Sequence, residues 1–234
     1  MTSAAAINAT MPGTGIRQWC LWLCALAAAA SLTALASFGI YPPGDIVLTR
    51  TVQAIRLPGL DLLSEFIYRL GVSPTFQLTA VAIAAVMALR NHRVMALFMV
   101  LAAVAQLTTA LLKELVERPR PSPFLVDVAG QAGGGFSFPS GHVLGAVLLW
   151  GFLYFACERI IASPRTRRWL QWSSLAIIAL MGLQRVYAGA HWPSDVLAAY
   201  LWGGVILFAL VKLYEFCGCS QVRSWMSRLQ PRCN

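Results

Sequence analysis

The chain has 234 residues, enough for one domain, but 58% of them are hydrophobic, only 12% are charged and the mean hydropathy is +0.66. That balance excludes a water-facing globule and points to a membrane protein. A net charge of +9 would suit a nucleic-acid binder, yet the charges divide by membrane side in a way that excludes this reading.

Residues 1–16 are small, polar and unpatterned, and a disordered tail is expected there. Six apolar runs follow, roughly 19–40, 71–89, 94–112, 141–157, 169–184 and 194–214, each near the ~20 residues that cross a hydrocarbon core about 30 Å thick. The predicted fold is all-α: a polytopic six-transmembrane-helix bundle over 17–215 with a cytoplasmic tail at 216–234. The fifth run is the least apolar, because Gln171, Ser173 and Ser174 lie in it. The first contains Ala34-Leu35-Ala36, which resembles a signal-peptidase site, but it is longer than a signal core and is expected to be retained.

Between the first two runs, 41–73 is too long for a turn and is broken by Pro42-Pro43-Gly44 and Pro58-Gly59. Within it Leu62, Leu63, Phe66, Ile67 and Leu70 share one helical face, while Asp61, Glu65 and Arg69 line another. Such a helix suits the headgroup layer, either as a lipid-facing lip or as a strut on the bundle.

With the N-terminus in the cytoplasm, the inner ends hold Arg17, Arg90, Arg93, Arg159, Arg165, Arg167, Arg168, Lys212, Arg223, Arg228 and Arg232 against Glu158 and Glu215. The outer side holds seven cations and seven acids, so the whole net charge falls inside, as the positive-inside bias requires. All six cysteines (Cys20, Cys24, Cys157, Cys217, Cys219 and Cys233) fall near the reducing inner side, and no structural disulfide is expected. Cys217 and Cys219 are too closely spaced for a metal site. His92 lies in the inner Arg90–Arg93 turn, and Gly133 to Gly135 read as a flexible joint, not a nucleotide loop.

Three polar clusters interrupt the apolar runs, and this topology puts all of them on the outer face. Ionisable groups at such boundaries are candidate functional residues. In KELVERPRP, Lys113 and Arg120 are seven residues apart, near two turns and so close to one helical face, with Pro119 and Pro121 ending the helix. Lys offers a mobile point charge and Arg a fork for two phosphate oxygens, although two snorkelling cations would look the same. Arg118 falls out of that register and reads as structural. In PSGH, Ser140 suits an N-cap, Gly141 permits close approach to the backbone, and the helix start that carries His142 favours an anion. In QRVYAGAHWPSD, Arg185 is another fork, while His191 and Asp195 are spaced i, i+4 across a helix start marked by Pro193. A carboxylate that accepts a hydrogen bond from one imidazole nitrogen leaves the other free to attack; an interfacial His-Trp pair is the plainer reading.

Together the clusters resemble the signature of the type 2 phosphatidic acid phosphatase superfamily, integral-membrane lipid phosphatases related to bacterial acid phosphatases and vanadium haloperoxidases. Lys113 with Arg120-Pro121 matches the first motif, Pro139 to His142 the second, and Arg185, His191 and Asp195 the third, whose leading Ser is replaced here by Gln184. The resemblance implies metal-independent phosphoryl transfer without a cofactor. His191 would be the nucleophile, Asp195 its orienting group and His142 the acid and then the base. Lys113, Arg120, Arg185, Ser140 and Gly141 would hold the phosphate. It implies a phospholipid or polyprenyl (di)phosphate substrate in a bacterial cytoplasmic membrane, with both termini inside and the site facing outward. A lipid-to-lipid phosphotransferase is the alternative within the family. A transporter or non-catalytic membrane protein is the alternative outside it, although transporters favour ionisable groups near the midplane. The sequence does not specify an oligomeric state.

Overall fold

Proline, glycine and small polar residues set where the apolar runs start and stop as helices. The computed structural model describes residues 16–129 and 134–229, with side chains as far as residue 217. Only Ile16 of the tail expected at 1–16 is described, and of the joint expected at Gly133 to Gly135 the first glycine lies outside the described residues. Nine helices and no strand occur among those described: α1 (Ile16–Ser37), α2 (Gly44–Gln53), α3 (Leu60–Gly71), α4 (Thr75–Leu89), α5 (Arg93–Ala105), α6 (Thr108–Val116), α7 (Gly141–Ile160), α8 (Pro164–Tyr187) and α9 (Pro193–Leu229). α8 shows the local logic: Ser163 accepts the backbone N–H of Thr166 at 3.4 Å, and Pro164 occupies the first helical position, where its missing N–H costs nothing.

α7 is the central helix, packed against α5, α8 and α9. Val143, Leu144, Leu148, Leu149 and Phe152 are wholly buried along it. Lipid tails are as apolar as these side chains, so close packing rather than water exclusion favours helix association. Glycines allow it: a Cβ on Gly151 would sit 2.5 Å from Leu207 of α9, and one on Gly203 of α9 would sit 2.8 Å from Val147. Two indoles tie α1 to α9, Trp22 donating to the Val205 carbonyl at 3.1 Å and Trp202 to Thr33 at 3.0 Å. Leu21, Leu78, Val81, Val104 and Leu111 are exposed, the pattern of a bundle that faces lipid.

Four helical units are long and apolar enough to cross a membrane: α1, the α5–α6 unit (Arg93–Val116), α7 and α9 (Pro193–Cys217). The pair α3 and α4, bent by 64°, would be a fifth. The expected six runs differ from this in particular ways. The run placed at 71–89 begins as a helix only at Thr75 and is short unless α3 extends it. The run at 94–112 is interrupted at Gln106 and Leu107, where the Gln106 amide reaches the Gly141 carbonyl at 3.3 Å. α8 is long enough but not apolar enough, because it carries Arg165, Arg167 and Arg168 near its start and turns Ser174, Gln184 and Arg185 inward, all buried. α9 passes the expected end at 214 and remains helical through Leu229.

The connection at 41–73 holds two helices. α2 packs on α8 and α9, and α3 on α8, α4 and α7. Of the apolar face expected on α3, Ile67 is buried in the bundle, whereas Leu62 and Phe66 are exposed. The loop after α6 is fastened to the turn between α8 and α9. Gln53 donates to the Asp127 carbonyl at 2.6 Å and accepts the Asp127 N–H at 3.1 Å, and the Ala129 N–H reaches the Ala188 carbonyl at 3.0 Å. Gly189 has φ +62, and any Cβ there would collide with the Asp127 carbonyl oxygen.

Candidate active site

The three motif segments meet at the start of α9. Asp195 lies in its first turn, fully buried, where the helix dipole favours a carboxylate. One of its oxygens, Oδ2, accepts the Trp192 N–H at 2.9 Å and the hydroxyl of Ser137; the other, Oδ1, pairs with the Arg118 guanidinium. His191 Nδ1 is 3.9 Å from Asp195 Oδ2, too far for the direct hydrogen bond that the i, i+4 spacing led us to expect. Nδ1 instead faces the Ser137 carbonyl at 2.7 Å. A carbonyl oxygen can only accept, so Nδ1 carries the proton and Nε2 keeps its lone pair. Asp195 thus acts on the imidazole through Ser137, whose hydroxyl it holds and whose carbonyl holds the ring.

His191 is only 2% exposed, and its Nε2 faces Arg120 Nη1 at 3.4 Å. Burial, aided by the charges of Arg185, Arg120 and Lys113, pushes its pKa well below the ordinary 6.5. The imidazole is therefore neutral at neutral pH, the form that a nucleophile needs.

Arg120 is placed by the loop, not by a helix. α6 stops at Val116 because Glu117 turns left-handed with φ 51, and no shared helical face brings Lys113 and Arg120 together. The chain folds back instead. Arg120 donates through Nε to the Gly135 carbonyl at 3.0 Å, through Nη2 to Gly134 at 3.0 Å and through Nη1 to Ala190 at 2.8 Å. Lys113 Nζ donates to the neighbouring Phe136 carbonyl at 2.6 Å. Burial lowers the pKa of Arg120, an effect that Asp195 opposes.

Ser140 occupies the N-cap position of α7 in extended backbone, but its side chain makes no cap bond. Its Oγ is buried without a partner among the described residues, and so is Nε2 of His142. Polar atoms so placed cost free energy unless a ligand satisfies them. Gly141 packs on Thr109, with 3.6 Å between the Thr109 hydroxyl and the position a Cβ would take. Arg185, 1% exposed, donates to Gln184 Oε1 at 3.3 Å and stands 5.4 Å from the Tyr68 ring centroid. Gln184 Nε2 in turn reaches Ser64 of α3 at 3.2 Å. The structure therefore gathers Lys113, Arg120, Ser140, Gly141, His142, Arg185, His191 and Asp195 around one end of α7, α8 and α9.

Sequence reading missed the layer beneath. Arg118, set aside as structural, is 2% exposed and bridges Asp195 to Asp45 of α2, its Nη2 lying 2.9 Å from Asp45 Oδ2. Asp45 also accepts the Ser194 N–H at 2.9 Å and the Ser194 hydroxyl at 2.6 Å. Asp45 and Ser137 had no spacing signal. The repeated Arg-Pro at 118 and 120 was the one local hint that Arg118 had a role.

Similarity to known proteins agrees with this geometry. A family model described as the PAP2 superfamily matches residues 93–218. Phosphatidylglycerophosphatase B of Bacillus subtilis is 30% identical over 175 residues, covering 73% of this chain and 83% of that protein. An undecaprenyl-diphosphatase of Sulfolobus acidocaldarius is 35% identical over 82 residues, covering 33% of this chain and 34% of that one. A crystal structure of a transmembrane PAP2-type phosphatidylglycerolphosphate phosphatase from Bacillus subtilis is similar at a TM-score of 0.68 and 26% identity, covering 80% of this chain and 96% of that one.

Proposed function

The chain belongs to the PAP2 superfamily and is a membrane lipid phosphatase, and on that premise we propose that it hydrolyses a lipid phosphate monoester or diphosphate through a phosphohistidine, without a metal ion. One observation carries the reading: His191 Nε2 keeps its lone pair, because the Ser137 carbonyl fixes the proton on Nδ1, and it lies beside the Arg120 fork.

In the first step Nε2 of His191 attacks phosphorus as the bond to the lipid oxygen breaks. The departing oxygen takes a proton from His142, a role that requires this imidazole to be protonated in the substrate complex. In the second step water attacks phosphorus and the P–N bond breaks. His142 accepts the water proton, and inorganic phosphate leaves. Phosphoryl transfer needs mainly positioning and charge stabilisation. Lys113, Arg120 and Arg185 supply the charge, with the Ser140 hydroxyl and the Gly141 N–H as further donors. Ser137 and Asp195 hold the nucleophile in its tautomer.

The proposed topology has six crossings: α1, α3 with α4, α5 with α6, α7, α8 and α9. Both termini are then cytoplasmic and the site opens at the outer leaflet of a bacterial cytoplasmic membrane, with residues 17–215 as the phosphatase domain. Phosphatidylglycerophosphate is the first substrate to test, since the Bacillus relatives are named for it. The experiment is phosphate release from a panel of lipid phosphates and diphosphates by purified full-length protein in chelator, beside His191→Ala. Release that survives chelator and disappears in the variant is expected. Release abolished by chelator, or retained by His191→Ala, overturns the mechanism; transfer to an added lipid in place of water marks a phosphotransferase.

A further inference from the structure

Ser64, Tyr68 and Gly71 are spaced by four and three residues, so they occupy one face of α3. That face lies outside the segment matched by the family model, yet it is pressed against the site. Tyr68 stacks on the His142 imidazole, with ring centroids 5.5 Å apart and planes inclined by 16°, and its ring also lies under the Arg185 guanidinium. One turn on, Gly71 lies at the edge of that imidazole: a Cβ there would stand 2.6 Å from His142 Cδ2 and 3.0 Å from Met181 Cε. One turn before, Ser64 is bound by Gln184, which accepts from Arg185.

His142 Nε2 has no hydrogen-bond partner among the described residues. What sets the plane of this imidazole is therefore packing, with the Tyr68 ring along one side and the Gly71 backbone at its edge. A cation at the face of an aromatic ring is attracted by the ring quadrupole, so the same tyrosine also orients Arg185. We propose that Tyr68 is a positioning residue for the phosphoryl-transfer site, holding the imidazole of His142 at the angle from which it delivers a proton to the leaving lipid oxygen. The proposal rests on the role given to His142 above and assigns the aromatic ring, not the phenol hydroxyl, as the working part. It also explains why position 71 is a glycine, since any Cβ there would crowd His142 and Met181.

A merely structural role for Tyr68 would slow every substrate alike. A positioning role predicts dependence on the leaving group, because a nitrophenolate leaves without a proton and an alkoxide does not. The assay compares an alkyl phosphate ester with a nitrophenyl phosphate ester, using the full chain in detergent micelles and reading kcat apart from KM. Misplacing a proton donor by about 1 Å costs on the order of 100-fold, so Tyr68→Leu is expected to lose about that much kcat on the alkyl ester and under about tenfold on the nitrophenyl ester. Tyr68→Phe, which keeps the ring, is expected to retain activity on both. Gly71→Ala should show the same selectivity as Tyr68→Leu, and it decides the matter if the leucine variant does not fold. Equal losses on the two esters, or a phenylalanine variant as impaired as the leucine one, overturns the proposal. His142→Ala separates the two levels: if it shows no leaving-group selectivity, the acid role is wrong; if it does and the Tyr68 variants do not, only the positioning role is wrong.

Discussion

Asp45→Ala removes a carboxylate that is 3% exposed and accepts three hydrogen bonds, from Arg118 Nη2, the Ser194 N–H and the Ser194 hydroxyl. No other acid pairs with that end of Arg118 among the described residues, and the guanidinium is only 2% exposed. Removing this shared acceptor leaves the Arg118 Nη2, the Ser194 N–H and the Ser194 hydroxyl unsatisfied, at about 1–3 kcal/mol for a buried donor, so about 3–5 kcal/mol in all after partial relaxation. For a chain of this size each kcal/mol shifts the midpoint by about 2–4 °C, so the melting temperature in detergent should fall by roughly 6–20 °C. Asp45→Asn keeps the shape and one acceptor oxygen, and should cost less, roughly 1–3 kcal/mol. Arg118 keeps its contact with Asp195 in both variants, so kcat on folded protein should fall less than stability does. The assay is thermal unfolding at fixed detergent with activity measured below the transition. A shift under about 2 °C for Asp45→Ala, or an equal one for alanine and asparagine, would refute the burial argument.

The His191 pKa lies below its ordinary 6.5, so the acid limb of kcat/KM for the free enzyme should lie below pH 6.5, and an inflection at 6.5 would contradict the neutral, desolvated imidazole. The stability sign follows. Below pH 6.5 the unfolded chain binds a proton at this histidine before the folded chain does, so its contribution is present above 6.5 and lost as pH falls towards the folded value. His191→Ala should flatten that part of a melting-temperature titration. Gln184→Ser restores the residue of the family motif but is too short to bridge Ser64 and Arg185. It should raise KM several-fold, about 1 kcal/mol for one lost bond, with kcat nearly unchanged; a lower KM would show the glutamine to be a burden on the site.

All eight residues read from the motifs converge in the structure, and they were legible because their types and spacing carry chemistry directly. What spacing could not show is how they converge. The seven-residue separation of Lys113 and Arg120 suggested two helical turns, but Glu117 adopts φ 51 and ends the helix, and the chain returns to Gly134 and Gly135. The i, i+4 relation of His191 and Asp195 suggested a direct bond, but a backbone carbonyl 54 residues away accepts the Nδ1–H hydrogen bond instead. Asp45 lies 73 residues from Arg118, and such a pairing leaves no periodic trace in either segment. The fold shows the same division. Composition placed the chain in a membrane, while the break at Gln106 comes with a tertiary contact, the Gln106 amide reaching the Gly141 carbonyl.

The Asp45–Arg118–Asp195 triad also fixes a charge beside the cations of the site. Two carboxylates and one guanidinium leave a single buried negative charge near Lys113, Arg120 and Arg185. In a medium of low dielectric such a charge offsets part of the repulsion among three neighbouring cations. The triad is thus a fixed counterweight, through which a residue as remote as Asp45 helps the fold to hold those cations together.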